Sequence, residues 1–408
     1  MGAETKKSLE ELSVNNLEKE KEVQLRTLKR GGALENITAL DYLSEKYNVT
    51  KEDVLLIALN ASAMTSDKEH SRVRFKFSLL TQPQTIFYFG IPVLKTNTPF
   101  HLSFEEKTLS LNGSVIGNVF DPENDTCDTS YFRRNGTALT LNTNARSNCT
   151  GCAICATHRQ DANDKTPINT EDRLSNYMRG LYSVPKGLGI GNASSHDLSK
   201  SARTLDFSDL HQVTIVTGCF PSEEKATSHL KMVHRYFADR GFRGEFRFIG
   251  SEIRSRKALE ELSNETDNMV LCLSFEFLTR REKLLRDSKA SLTLENAIEV
   301  LSAAKDVGIK GSFTYVVGMD SLEDMRDGLR RMSPFVGDFP IFQVFQPHWK
   351  GQLMIRQPEA ATLEYYLDAR KEIETIFEGT GLKPKPWQNY RSLWYFTFDN
   401  KPLEGIRI

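Results

Sequence analysis

The sequence predicts an α/β protein built on a parallel sheet. Two observations predict this class: short apolar, β-rich runs alternate with amphipathic stretches, and the alternation repeats through the second half of the chain. The predicted strands are 138–143, 211–217, 246–249, 269–274, 312–317 and 341–345. Six strands alternating with helices are typical of a parallel barrel or an open parallel sheet. In both, the ligand site lies at the carboxyl ends of the strands.

Composition places the chain among ordinary globular proteins. Its residues are 39% hydrophobic and 26% charged. With 408 residues it is long enough for one large domain with a sizeable core and a second, smaller domain. A formal net charge of -1 gives no reason to expect broad binding to nucleic acid or to anionic membranes. No apolar run approaches the ~20 residues that span a bilayer. We therefore expect neither a membrane nor a nucleic-acid partner.

The N-terminus and the cysteine usage indicate a reducing compartment. Residues 1–30 are charged throughout and lack the apolar core of a signal peptide. The chain has six cysteines, three of them clustered, which is not the pattern of a secreted disulfide framework. The sequence thus predicts a cytoplasmic protein.

Residues 1–130 predict a small α+β domain. After a charged helical arm at 5–30, Thr50 caps an apolar helix. Apolar residues then alternate with basic ones, which predicts a half-buried strand; the basic residues are Arg72, Arg74 and Lys76. Further short strands follow, and Asn112-Gly113 predicts a tight hairpin turn. No chemical motif is recognisable in this part.

Residues 131–355 carry the alternating strands and helices, and 356–408 predict a C-terminal addition. Helices are expected near 170–181, from the turn at 218–224 to Arg240, at 257–262, at 293–307 and after Ser321. A long amphipathic helix is expected over 359–377. The aromatic, proline-marked tail at 384–394 is expected to fold back on the barrel.

Three cysteines follow the first predicted strand within seven residues, at Cys149, Cys152 and Cys155. Thiolates at this spacing can share one soft metal ion or cluster. A structural zinc site has four ligands, and only His158 is placed locally to be the fourth. Three thiolates on a four-iron cluster instead leave one iron open. The residues favour an iron–sulfur cluster over zinc, with three buried thiols and no metal as the remaining alternative.

A strand, a clustered-cysteine loop and five further βα units resemble the radical S-adenosylmethionine superfamily over about residues 137–350. The resemblance implies a partial (β/α)6 TIM-like barrel that follows the N-terminal domain in the chain. It implies a [4Fe–4S] cluster whose open iron binds S-adenosylmethionine, and an electron donor such as flavodoxin or ferredoxin. Reductive cleavage then gives a 5'-deoxyadenosyl radical, which abstracts hydrogen from substrate. The commonest family spacing is Cys-x3-Cys-x2-Cys, whereas this chain has Cys-x2-Cys-x2-Cys, with Asn148 where the earlier cysteine is expected.

Other positions match the family pattern one by one. Ile154 matches the apolar residue that packs near adenine, and Thr217-Gly218 matches in part the stretch that contacts the amino group of S-adenosylmethionine. The remaining implied cofactor-binding residues are Ser274, Glu276, Arg280, Arg281, Gly318, Gln343 and Gln346. Each has a structural alternative. The charged residues are also explained by a surface ion-pair group, and Gly318 by a turn.

The resemblance implies an enzyme acting on a small molecule, by rearrangement, lyase, dehydrogenation or epimerisation chemistry. Substrate contacts are expected from Gln346, His348, Tyr390 and Arg391. Arg391, with Lys383 or Lys385, suits an anionic group. As catalytic candidates we name His348 and Cys219, the latter as a hydrogen-atom donor, although both also suit a structural role. Two alternatives stay open: modification of a peptide or tRNA, and a non-catalytic zinc protein.

Overall fold

The structure, a computed structural model, shows two large β-sheets that share one hydrophobic core, and a two-stranded sheet near the C-terminus. It describes residues 39–95, 98–125, 130–143, 151–156, 168–183, 205–216 and 220–407. Core residues from the N-terminal sheet, such as Phe89, and from the second sheet, such as Phe342, belong to the same buried cluster. The two parts therefore stabilise each other through continuous apolar packing.

Two helices and a six-stranded sheet form the N-terminal part. The helices are α1 (Leu40–Tyr47) and α2 (Lys51–Ser62). The strands are β1 (Thr65–Ser66), β2 (Arg72–Leu79), β3 (Gln82–Pro92), β4 (Phe100–Ser103), β5 (Thr108–Leu111) and β6 (Ser114–Asn124), in the spatial order β1-β4-β5-β6-β2-β3. Thr50 caps α2 by accepting a hydrogen bond from the Asp53 amide over 3.0 Å, as predicted.

The hairpin between β5 and β6 turns at Asn112-Gly113, as the sequence predicts. Both residues have positive φ angles, 49° and 84°, which is the geometry that the Asn-Gly pair adopts at low cost. The prediction for β2 is wrong in one respect. Arg72 and Arg74 do not face water, because both are only 2% exposed and pair with the buried carboxylate of Asp125.

The second sheet has seven strands in the order of the chain, β7 to β13. They are β7 (Tyr131–Arg133), β8 (Ala138–Leu141), β9 (Gln212–Val216), β10 (Glu245–Gly250), β11 (Met269–Glu276), β12 (Lys310–Val317) and β13 (Ile341–Val344). Strands β8 to β13 run parallel, and β7 pairs antiparallel with β8 at one edge. The prediction of an α/β fold on a parallel sheet is confirmed.

Helices connect the parallel strands along the described chain. They are α3 (Glu171–Ser183), α4 (Glu223–Ala238), α5 (Arg256–Glu265), α6 (Arg281–Leu284), α7 (Asp287–Ala290), α8 (Leu294–Asp306) and α9 (Leu322–Met332). Several begin at a serine or threonine whose hydroxyl accepts the third amide of the helix, which satisfies an otherwise unpaired donor. None of the described helices has both the length and the apolar character needed to cross a bilayer.

The C-terminal part packs against β13 and α2. It contains α10 (Lys350–Leu353), α11 (Leu363–Phe377), β14 (Thr397–Phe398) and β15 (Lys401–Pro402). The predicted helix 359–377 is interrupted, because a short 3-10 turn ends before Thr362 caps α11. The tail lies along β13: the amide of Val344 donates to the carbonyl oxygen of Arg391 over 2.8 Å. Trp394 is buried, and its indole N–H donates to Glu374 over 2.9 Å.

Candidate functional site

A cavity of about 310 Å³ lies on the inner side of the seven-stranded sheet. Every parallel strand contributes at least one side chain to its wall: Thr140, Thr214, Arg247, Ser274, Thr314 and Gln343. Side chains from all these strands reach one space only if the sheet curves around it. The second sheet is therefore a curved, partial barrel with its cavity on the concave face.

The cysteine loop lies on the rim of this cavity. Cys152 is buried, Cys155 is half-buried, and both line the cavity wall. Two hydrogen bonds fix the residue between them: the amide of Ala153 donates to Leu284 over 2.8 Å, and its carbonyl accepts from Gln352 over 2.8 Å. The loop is thus held from two sides.

Two of the three cysteines predicted as cluster ligands therefore line the cavity. Burial raises the pKa of the Cys152 thiol, and the nearby ammonium group of Lys289 opposes this effect. Cys149 and His158 lie outside the described residues. Within the described chain, no group of three His, Cys, Asp or Glu side chains is arranged to hold a metal ion. Two thiols at a cavity rim are donors of the type that an iron–sulfur cluster uses.

Glu276 and Ser274 close strand β11 at the same end of the sheet. Both line the cavity. The register of β11 shifts between Leu273 and Glu276, and Glu276 has a φ of 73°, which is rare for a residue with a side chain. This backbone turn directs the Glu276 carboxylate to Lys289, with which it forms an ion pair. Burial opposes the charge of Lys289, but the carboxylate outweighs it and the pKa of Lys289 is raised.

Ile154 lies beside the cysteines and packs on apolar side chains. It packs against a buried cluster separate from the main core, formed by Cys152, Phe277, Leu285, Val316, Met319 and Phe345. Ile154 also lines the cavity. Ile154 therefore gives the cavity wall an apolar surface next to the rim thiols.

Three predicted cofactor residues do not line the cavity. The guanidinium group of Arg280 donates to the carbonyls of Met319 and Ile355, and that of Arg281 donates to Phe275, Phe277 and Lys289. These bonds tie both side chains to backbone carbonyls around the loop after β11, and within the described chain the buried Nε of Arg281 has no hydrogen-bond partner. Gly318 adopts a φ of 114°, and a Cβ there would come within 3.2 Å of Phe345. Its visible role is to permit a tight turn.

The predicted residues of β13 and the C-terminal tail do converge on the cavity: Gln343, Gln346, His348, Tyr390 and Arg391. Gln346 accepts from Arg72 over 2.9 Å and donates to Asn60 over 2.8 Å. Burial, together with Arg72 and Arg391, lowers the pKa of His348 well below its usual value. The imidazole is therefore neutral at pH 7. Lys383 does not line the cavity, and Lys385 pairs with Asp338 over 2.8 Å.

Sequence reasoning missed several cavity residues. These are Arg72, Arg74, Tyr131, Arg133, Arg247, Arg286 and Lys289. One signal for the first two was present in the sequence: acidic residues recur at alternate positions 121, 123 and 125, and the last of them, Asp125, is the carboxylate that pairs with Arg72 and Arg74. Of the other predicted site residues, Thr217, Gly218 and Cys219 lie outside the described part of the chain.

Fold and cavity together define an α/β protein in which a curved parallel sheet carries a cysteine loop after its first parallel strand. No known protein family and no curated protein matches the sequence. Two solved structures show a likeness. One is TsrM from Kitasatospora setae, a radical S-adenosylmethionine methyltransferase with cobalamin and a [4Fe–4S] cluster bound (11% identity over 53% of this chain, TM-score 0.32). The other is Streptococcus suis SuiB bound to its precursor peptide SuiA (11% identity over 51% of this chain, TM-score 0.32).

Both likenesses are weak. The chain spans 35% of the length of the TsrM chain and 39% of the SuiB chain.

Proposed function

We propose that this protein is a radical S-adenosylmethionine enzyme that acts on a small anionic substrate in the cavity of its partial (β/α)6 barrel. The observation that carries the proposal is the position of Cys152 and Cys155. Both thiols stand on the rim of a cavity that all six described parallel strands line. In α/β folds this is the end of the sheet where ligands bind.

The residues around the rim suit the cofactors of such an enzyme. Cys149, Cys152 and Cys155 would hold a [4Fe–4S] cluster, with Ile154, Ser274 and Glu276 towards S-adenosylmethionine. A bound cluster would supply the electron for reductive cleavage of S-adenosylmethionine, and the bound S-adenosylmethionine would supply the group that removes a hydrogen atom from the substrate. The protein's own contribution is to orient the reactants, and Gln352 and Leu284 contribute by holding the cysteine loop.

The charge of the wall supports an anionic substrate. Among the described lining residues, seven are arginine or lysine, and Glu276 is the one carboxylate. A volume of about 310 Å³ falls within the range of small-molecule sites. Five of these cations pair with carboxylates of the described chain, so the attraction for a carboxylate or phosphate group comes from the other two, Arg133 and Arg391.

Cleavage of S-adenosylmethionine tests this function. Anaerobically reconstituted protein, given dithionite and S-adenosylmethionine, should release 5'-deoxyadenosine. Cys152→Ala should abolish the release, because the cluster loses one of three ligands. Cys272→Ser is the matched control, since Cys272 is buried in β11 and does not line the cavity. Equal release from wild type and Cys152→Ala would show that Cys152 is not a ligand.

A further inference from the structure

Two arginines in the cavity wall, Arg133 of β7 and Arg391 of the tail, have no carboxylate partner among the described residues. Arg133 is 9% exposed; it donates to the carbonyl of Gln388 over 2.6 Å, and its Nε has no hydrogen-bond partner. Arg391 donates to Gln343, and its buried Nε also has no partner. A buried guanidinium without a counter-charge is costly unless an anion compensates it.

Three other cations of the cavity each have a carboxylate partner, and Arg72 and Arg74 share the carboxylate of Asp125. Arg247 pairs with Glu245 over 2.9 Å and also with Asp338. Lys289 pairs with Glu276. Arg286 lies 3.8 Å from a carboxylate oxygen of Glu252. The uncompensated positive charge is therefore concentrated on the side of the cavity formed by β7 and the C-terminal tail.

Aromatic rings position the arginines on this side of the cavity without neutralising their charge. Tyr131 and Tyr390 line the cavity. The Cζ of Arg133 lies 5.7 Å from the centroid of the Tyr131 ring, and that of Arg391 lies 5.6 Å from the Tyr390 ring. Cation–π contacts orient a guanidinium group but leave its edge donors available.

Arg74 of the N-terminal sheet extends the same surface. Its Cζ lies 4.1 Å from the Tyr131 ring centroid, and its Nη2 donates to Asp125 over 2.8 Å. The buried Nε of Arg74 has no hydrogen-bond partner. The N-terminal sheet thus forms part of the cavity wall as well as packing against the barrel.

We infer that Arg133 and Arg391, with Arg74 and the rings of Tyr131 and Tyr390, form an oxyanion-binding site that takes a phosphate or carboxylate group. This site sets the substrate class of the proposed enzyme, and to that extent the inference rests on the proposed function. The binding itself requires neither the cluster nor S-adenosylmethionine. Guanidinium groups match both oxyanions in geometry and charge.

Calorimetric titration of the full chain, without cluster or S-adenosylmethionine, tests the site. The probes are inorganic phosphate, pyrophosphate and citrate, each at constant ionic strength. We expect saturable binding of at least one probe. Preference for pyrophosphate over citrate would assign a phosphorylated ligand, and the reverse order a carboxylated one. Fluorescence of Trp387, whose ring lies 5.5 Å from the Cζ of Arg133, gives a second readout.

Variants then locate the binding. Arg391→Gln should weaken it by about 10- to 100-fold, the usual value of one charge-assisted contact. Arg133→Gln should weaken binding to the same extent. If Arg133→Gln does not fold, Arg391→Gln still tests the site, because Arg391 is only half-buried. Arg235→Gln is the control, because Arg235 is exposed on α4. No saturable binding to folded wild type, or equal weakening by all three variants, would overturn the inference. Binding by a protein that cannot cleave S-adenosylmethionine would refute only the proposed function.

Discussion

The side-chain amide of Gln352 donates a hydrogen bond to the carbonyl oxygen of Ala153 over 2.8 Å, and so ties α10 to the cysteine loop. The side-chain oxygen of Gln352 accepts from the amide of His348 over 2.8 Å. Gln352 is buried. One side chain therefore links the predicted cluster loop to the segment that follows β13.

Replacing Gln352 by Leu should loosen the cysteine loop. Loss of both bonds leaves the Ala153 carbonyl and the His348 amide without this partner, at a cost of about 1–3 kcal/mol each if no water replaces it. We expect lower iron content after reconstitution and a lower Tm. Gln357→Leu is the control, because the Gln357 side chain bonds only with Glu359 at the surface. Equal iron content in both variants would argue against a role for Gln352 in holding the loop.

The ion pair between Glu276 and Lys289 predicts a measurable coupling. Both groups are largely withdrawn from water, so removing one partner leaves an unpaired charge. We expect Glu276→Gln and Lys289→Met each to lower the free energy of unfolding. The double variant should lose about 1–3 kcal/mol less free energy of unfolding than the sum of the losses in the two single variants. A double-mutant cycle in urea measures this difference, and strict additivity would mean that the pair contributes nothing.

Asp53 joins the N-terminal helix α2 to the C-terminal tail. Its carboxylate accepts from the amides of Tyr395 and Thr397 over 2.7 and 3.1 Å and lies 3.3 Å from Arg370. Asp53→Ala should cost about 3–5 kcal/mol, because buried amides and Arg370 lose their partner. Asp41→Ala is the control, since its ion pair with Lys51 is exposed and such pairs contribute about 1 kcal/mol or less. Chemical denaturation of the two variants compares them, and similar losses would show that Asp53 is not the link described here.

His229 predicts a specific pH dependence of stability. Burial lowers the pKa of His229 to about 4, and its Nε2 lies 2.6 Å from the hydroxyl of Thr143, just before the cysteine loop. The unfolded chain binds a proton near pH 6.5, whereas the folded chain does so only near pH 4. The contribution of His229 to the free energy of unfolding, about 3 kcal/mol, is therefore fully present above pH 6.5 and is lost as the pH falls towards 4.

His229→Gln should remove this part of the pH dependence. Glutamine does not titrate, so the difference in unfolding free energy between wild type and variant should change by about 3 kcal/mol between pH 6.5 and 4. Urea unfolding at several pH values measures it. Parallel curves for the two proteins would mean that His229 does not titrate as its burial indicates.

The local patterns of the chain predicted most of the second sheet. Strands β8 to β13 were predicted because each is a short apolar run between polar turns, and such signals depend on near neighbours only. The break before α11 was missed, because the hydrophobic pattern continues across Thr362 while the backbone does not. The rim position of Cys152 and Cys155 followed from the rule that loops after parallel strands meet at one end of the sheet.

The cationic wall was not predicted, because it depends on contacts between residues far apart in sequence. Arg72 and Arg74 alternate with apolar residues, which is the usual pattern of a strand with one face in water. Their burial requires Asp125 and Gln346, which lie 53 and 274 residues from Arg72. Likewise, Arg280 and Arg281 have the positive charge that would bind a carboxylate. Only the structure shows that their guanidinium groups donate to backbone carbonyls instead.

Metal and sulfide content tests the central claim most directly. After anaerobic reconstitution, wild type should be brown and contain about four iron and four sulfide ions per chain, and Cys152→Ala should hold far less. Zinc near one per chain, with neither iron nor acid-labile sulfide, would contradict the cluster and with it the proposed radical chemistry.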